Sequence, residues 1–317
     1  MGKGLVLIFH REEDSGLFGK IILSLKDRYS LVSASQLEQF LREGSGTKNI
    51  CHITFDDGLQ SFYRVVFPLL KKHDVPASLF VSPAVITAND NFWFQEMEGY
   101  DKGIFKNILA DELNVPLDKM TGFSSQSVLK CLPVSRIKRM IELYQQKTKC
   151  GKKAPQNMSI EELREVDASG LVTVGAHTIN HPVLKNEDDE TCFNEITQSV
   201  SGLEQLLGHP VNYFAYPNGR PGIDFGEREM GYLRKTNIKM AFSTELDTLS
   251  AGNDLLSIPR MGFARMGLSP THPLIKFRLN LGKRWIDIRS IGKPTEKELR
   301  EQIKTMLSPA LVSSRTS

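Results

Sequence analysis

Short apolar runs alternate with helical stripes from the start of the chain. Residues 5–9 read as a buried strand, Ile21, Ile22 and Leu25 mark one face of a helix, and residues 30–32 read as extended again. Ser33 and Gln36 form a capping box ahead of Leu37, Phe40 and Leu41, since each side chain satisfies a backbone N–H that the helix start leaves open. An apolar, β-prone run at 50–55 ends in Asp56-Asp57-Gly58. Phe62, Val65, Val66, Leu69 and Leu70 then follow helical spacing, and 75–81 reads as the next strand. This β/α repetition predicts a largely parallel sheet or barrel.

The rhythm stops near Thr87 and resumes at Ser159, which makes a second capping box with Glu162. Between them Phe92-Trp93-Phe94 and a helical stretch at 134–146 carry little strand signal, which predicts a helical insertion at about 90–158. Strand candidates return at 171–176, 213–216, 240–243 and 256–259, with helical stretches at 194–207 and 226–235. About seven strand–helix units fit a barrel better than an open sheet. The predicted layout is an α/β barrel over 1–270, including the insertion, and a C-terminal extension over 271–317. In the extension Phe277, Leu279, Leu281, Trp285, Ile286 and Ile288 interleave with Lys276, Arg278, Lys283, Arg284 and Arg289. That pattern suits either an apolar side packed on the barrel or a patch that lies on a membrane surface.

Composition narrows the classes. With 317 residues and 40% hydrophobic content the chain has an ample core, and a net charge of +3 gives no argument for nucleic acid. Four cysteines without CxxC spacing speak against a disulfide framework or zinc ribbon. The opening apolar run meets Arg11, Glu12, Glu13 and Asp14 too soon for a signal-peptide core or a membrane span, and Val6 stands where a myristoylation motif needs Ser or Thr. A cytoplasmic protein is expected, unless a leader has been removed.

Asp56 and Asp57 are the chemical oddity. Adjacent carboxylates at a strand end repel each other unless a cation or proton lies between them, so they read as a metal or catalytic site. A second anchor, Gly175-Ala176-His177-Thr178-Ile179-Asn180-His181-Pro182, follows another apolar strand. Its two histidines, four positions apart on a helical turn or tight loop, can close on one metal ion. Strand C-terminal ends of a β/α barrel open on one face, where these residues would converge. Two imidazoles and one carboxylate suit a catalytic zinc-type ion with an open position for water, which leaves one acid free to take the water's proton.

Thr54-Phe55-Asp56-Asp57-Gly58, His177-Thr178-Ile179-Asn180-His181-Pro182 and Phe214-Ala215-Tyr216-Pro217-Asn218-Gly219 together resemble the polysaccharide deacetylases of carbohydrate esterase family four. The resemblance spans roughly residues 5–260. It implies a distorted (β/α)7-type barrel that removes N-acetyl groups from amino sugars, with Asp56 as general base and Asp57, His177 and His181 as metal ligands. The third motif, Tyr216-Pro217-Asn218, would bind substrate, and the Asn218 N–H would face the developing oxyanion. The usual leucine-x-histidine motif is missing after it. Leu7-Ile8-Phe9-His10 instead resembles the family's permuted branch, which gives the general-acid role to His10. Ala215 stands where many members carry an arginine that orients the base. Arg260 is the first choice to replace it and Arg220 the second.

The resemblance thus implies metal-assisted amide hydrolysis that yields acetate and a free amino sugar. Zinc is the favoured ion, and cobalt or nickel would fit the same ligands. A nucleotide-linked or lipid-linked N-acetylated sugar from bacterial surface-polysaccharide synthesis is the expected substrate, with peripheral contact at the inner membrane through the basic aromatic extension. Deformylation or hydrolysis of another C–N bond is the alternative on the same scaffold. A catalytically silent glycan-binding protein is the alternative from another class, and the loss of arginine at Ala215 is what favours it.

Overall fold

Strand and helix alternate as β1 (Gly4–Phe9), α1 (Ser15–Lys26), β2 (Ser30–Leu31), α2 (Ala34–Glu43), β3 (Ile50–Phe55), α3 (Phe67–His73) and β4 (Ala77–Val81). This computed structural model describes residues 4–44, 49–249, 252–262 and 294–313. Five helices follow β4: α4 (Pro83–Ala88), α5 (Trp93–Glu96), α6 (Lys102–Leu113), α7 (Ser125–Leu129) and α8 (Val134–Thr148). The alternation resumes with α9 (Ile160–Ala168), β5 (Val172–Ala176), α10 (Asp189–Leu207), β6 (Tyr213–Ala215), α11 (Glu227–Leu233), β7 (Met240–Phe242) and β8 (Met261–Gly262). A C-terminal helix spans Glu296–Ser313. Both capping boxes read from the sequence, at Ser33 and Ser159, are present.

The strands form one sheet in the order β7-β6-β5-β4-β3-β1-β8, with β2 beside β3, and the paired strands run parallel. Its two edges meet through the residues that lead into β8. Ile258 N–H donates to Ala241 O at 2.9 Å and Ser243 N–H to Ile258 O at 2.8 Å, next to the parallel bridge of Phe242 and Ile258. The sheet therefore curls into a distorted barrel. The strand expected at 256–259 is reduced to that bridge, and β8 starts only at Met261. Pro259 explains the shift, because it has no N–H to donate to a ladder.

Strand residues alternate between two apolar layers. Leu5, Leu7, Ile53, Phe55, Leu79 and Val81 pack outward with Phe18, Ile22, Phe62, Leu163 and Ile196 of the surrounding segments. Val6, Phe80, Tyr213, Ala215, Phe242 and Ile258 belong to a separate inner cluster. With both faces buried, parallel strands must read as continuous apolar runs, which is why they stand out in the sequence. The polar exceptions His52, Thr54 and Ser78 are fully buried and satisfied: His52 Nδ1 lies 2.8 Å from Val32 O, His52 Nε2 lies 2.9 Å from Ser78 Oγ, and Thr54 Oγ1 donates to Leu7 O at 2.9 Å.

The inserted helices have their own core, in which Trp93, Phe105, Leu109, Leu129 and Met140 pack with Ile303 and Leu307 of the C-terminal helix. The basic aromatic stretch at 276–289, and the boundary near 270, lie outside the described residues. Among the described residues no helix is long and apolar enough to cross a membrane.

Candidate metal and catalytic site

Asp56 and Asp57 follow β3 where the chain turns sharply. Asp57 (φ 73°) and Gly58 (φ 67°) are both left-handed, and a Cβ on Gly58 would stand 2.8 Å from Val81 Cγ1. Glycine is therefore required at 58, while Asp57 tolerates a conformation that costs most residues about 1–2 kcal/mol. The consecutive left-handed residues aim two adjacent carboxylates at different partners. Asp56 meets Arg260 and Asp57 meets the histidines.

Arg260 precedes β8 and is fully buried inside the barrel, with its guanidinium carbon 5.6 Å from the Phe80 ring centroid and 5.9 Å from that of Phe242. Its Nη1 donates to Asp56 Oδ1 at 2.7 Å and its Nη2 to Asp56 Oδ2 at 2.9 Å. Nη1 also reaches Thr54 Oγ1 at 3.2 Å, and Nε donates to Ser243 O at 2.9 Å. This bidentate clamp fixes the plane of the Asp56 carboxylate. Burial pushes the Asp56 pKa up, but the charge of Arg260, with help from His177 and the guanidinium hydrogen bonds, prevails and holds it at about 2. Arg220 lines the same cavity, but its guanidinium faces Glu296 at 3.8 Å.

His177 and His181 lie in a tight loop after β5, with no helical turn between them. Thr178 (φ 62°) and His181 (φ 55°) are left-handed, and Thr178 Oγ1 accepts from His181 N–H at 3.1 Å. The buried Glu195 of α10 accepts from the N–H groups of Ile179 and Asn180, both at 2.9 Å, and from Asn180 Nδ2 at 2.6 Å. Ser82 Oγ donates to Ile179 O. Trp93 Nε1 of the insertion donates to His181 O at 3.0 Å, and the Phe92 and Phe94 rings pack edge-on around the His181 imidazole.

Three ligand-type atoms converge here. Asp57 Oδ1 lies 3.7 Å from His177 Nε2 and 3.6 Å from His181 Nε2. Those separations are too long for hydrogen bonds, yet each suits two ligands that share a centre about 2 Å from both. His177 Nδ1 lies 2.7 Å from Ala215 O, and because a carbonyl only accepts, Nδ1 carries the proton and Nε2 presents its lone pair. Asp57 Oδ1 is buried without any hydrogen-bond partner, as is His181 Nδ1. Burial raises the Asp57 pKa against the pull of His10 and His177, and burial, reinforced by His177, drives that of His181 well down. An orphaned buried carboxylate oxygen between two imidazoles fits a divalent cation in its chemistry and spacing. Asp57, His177 and His181 form the Asp/His/His group that could hold one.

A cavity of about 220 Å³ opens over these groups, and His10, Asp56, Asp57, His177, His181 and Asn218 all line it. His10 follows β1 and is exposed. Asn218 (φ 59°) turns into the cavity and leaves its buried Nδ2 without a partner. Tyr216 faces the other way: its ring stacks on Phe225 at 3.7 Å and its hydroxyl donates to Leu256 O at 3.0 Å, inside the outer core. Pro217, also buried, is not among the lining residues. Trp93, Phe94, Gln126, Lys130, Asp224, Thr244, Glu296 and Arg300 complete the wall, and sequence reasoning did not place any of them at the site. Only the Phe92-Trp93-Phe94 run carried a signal, as an aromatic cluster at the start of the insertion.

A family model described as polysaccharide deacetylase matches residues 43–240. The chain belongs to the polysaccharide deacetylase family, hydrolases that act on amide bonds. Similar solved structures agree on the fold. A deacetylase from Streptococcus pyogenes, PplD, determined in complex with acetate, is 18% identical with a TM-score of 0.55, covering 85% of this chain and 93% of its own. IcaB from Ammonifex degensii is 20% identical with a TM-score of 0.56, covering 82% and 91%. A polysaccharide deacetylase from Bacillus cereus, BC0361, is 17% identical with a TM-score of 0.54, covering 88% and 69%. No curated protein matches the chain significantly.

Proposed function

We propose that this protein is a metal-dependent N-deacetylase of an N-acetylated amino sugar in a glycan of the bacterial surface. The observation that carries the reading is the Arg260–Asp56 clamp, set beside the Asp57, His177 and His181 cluster in one cavity. A silent binding protein would have no need of a carboxylate held ionised and oriented next to an orphaned ligand set.

In this reading Asp57, His177 and His181 hold a divalent ion, with zinc favoured by the donor set and cobalt or nickel also accommodated. Bound there, the ion supplies Lewis acidity, which acidifies water and polarises an acyl oxygen. Asp56 acts as general base. Its pKa of about 2 keeps it ionised at any working pH but makes it a weak base, so it depends on orientation by Arg260 more than on proton affinity. Asn218 lies on the wall where an oxyanion would develop, and its free Nδ2 is a further donor toward the substrate. His10, which lines the same cavity, protonates the departing amine. The substrate reaches the enzyme in the cytoplasm or at the inner membrane.

Acetate release from a panel of N-acetylated sugars and oligosaccharides by the zinc-loaded protein tests the reading. Release of acetate from at least one of them is expected. Formate release from N-formyl sugars without acetate release would turn the reading to deformylation, and binding without any release would turn it to the silent glycan binder.

A further inference from the structure

Asp224, just past the third motif, and Arg300, far beyond it in sequence, form a buried ion pair on the wall of the catalytic cavity. Asp224 is 1% exposed and Arg300 5%, and both line the cavity. Asp224 closes the tight loop after the third motif, where its Oδ2 accepts from Arg220 N–H at 2.9 Å. Arg300 comes from the C-terminal helix, which is anchored by Ile303 and Leu307 in the core of the insertion and lies beyond the span matched by the family. Its Nη1 donates to Lys130 O at 3.0 Å and its Nε to Glu296 Oε1 at 3.1 Å.

One contact is incomplete. Arg300 Nη2 stands 2.8 Å from Asp224 Oδ1, close enough for charge attraction, yet that oxygen accepts no well-aligned hydrogen bond. A buried carboxylate oxygen left this way costs stability unless something else fills it. A purely structural tie between helix and barrel would be served as well by apolar side chains of similar volume, which often replace a buried ion pair without loss. Asn218, whose buried Nδ2 is also without a hydrogen-bond partner, lines the same cavity. An ion-paired oxygen that accepts no aligned hydrogen bond and an unpartnered donor on one wall match a ligand that both gives and takes hydrogen bonds.

We propose that Asp224 and Arg300 read the ring hydroxyls of a neutral sugar in the catalytic cavity, with Asp224 Oδ1 accepting from one hydroxyl and the Arg300 guanidinium donating to its neighbour. The pair sets specificity rather than chemistry. Glu296 beside Arg300 and Arg220 argues against an anionic ligand at the pair, since Asp224 and Glu296 offset these two arginines and Lys130 is the third cation of the wall. The proposal rests on the reading of a sugar substrate and adds which of its groups are recognised.

The test is a binding measurement, which needs no turnover. N-acetylglucosamine and its 3-deoxy, 4-deoxy and 6-deoxy analogues are titrated calorimetrically into the full-length protein and into Asp224→Asn and Arg300→Lys. Wild type is expected to bind the parent sugar at least tenfold more tightly than one deoxy analogue, as roughly befits a hydrogen bond to a charged group. Each variant should lose most of that discrimination while keeping the wild-type circular-dichroism spectrum. Discrimination that is unchanged in both variants would overturn the proposal, as would tighter binding of inorganic phosphate that depends on Arg300. Failure of the deacetylase reading appears separately, as absent acetate release with the binding pattern intact. No binding of any of the sugars would overturn both.

Discussion

Arg260 is the charge that does most to hold Asp56 ionised. It sits with no exposure between two aromatic rings, and four of its hydrogen bonds go to Asp56, Thr54 and Ser243. Breaking a buried pair by removing one partner typically costs about 3–5 kcal/mol, because the other charge is left uncompensated. Arg260→Met should therefore lower stability by roughly that amount in urea denaturation. It should also shift the acid limb of kcat/KM to higher pH, since burial would then raise the Asp56 pKa against only the weaker pull of His177 and His10. The buried His52 makes a second prediction. Burial depresses its pKa from 6.5 to about 4, so the unfolded chain binds the extra proton first as pH falls. The stabilisation is complete above pH 6.5 and drains away toward pH 4, and urea midpoints should fall over that window in wild type but less in His52→Gln. Asp56, with its depressed pKa, contributes only at a lower window, between 3.8 and about 2. At this scale legibility followed sequence proximity. The adjacent acids and the close histidines announce themselves, and the search for a substitute at Ala215 led to Arg260. Glu195, Asp224 and Arg300 do not stand out, because a charged residue in a helix or turn reads the same whether it faces solvent or a cavity.

The elements place these residues through close approach of their backbones. Gly175 in β5 has no room for a side chain, since a Cβ there would lie 2.6 Å from the Phe80 ring and 2.7 Å from Tyr213 O. Phe80 in turn packs beside Arg260, and His177 follows two residues after the glycine. Gly175→Ala should cost about 1–3 kcal/mol, as overpacking does, and should weaken both ends of the site. A lowered thermal midpoint together with weaker zinc binding by equilibrium dialysis is the expected outcome. The strands buried on both faces were legible as apolar runs, as were the capped helices α2 and α9. The last strand was not, because Pro259 interrupts its pairing and leaves one bridge where continuous pairing was expected. The histidine loop was legible as a ligand pair but not in its shape. Left-handed turns at Thr178 and His181 depend on Glu195 from a helix further along the chain.

At the scale of the whole molecule, a curled parallel sheet gathers His10, Asp56, Asp57, His177 and Asn218 from four strand ends onto one face. The insertion supplies Trp93 and Phe94 to the same cavity, and the C-terminal helix joins the insertion's core and contributes Glu296 and Arg300. The barrel was legible from repetition of a local pattern, whereas the partnership of insertion and C-terminal helix was not, since no periodicity records which distant apolar faces meet. The central claim is a division of labour between neighbouring carboxylates, one for the metal and one for the proton. Acetate release by Asp56→Asn, compared with wild type at matched zinc content, tests it most directly. A fall of about 10²–10⁴-fold with zinc retained is predicted, as for loss of a positioned base. Turnover equal to wild type at equal zinc content would contradict it.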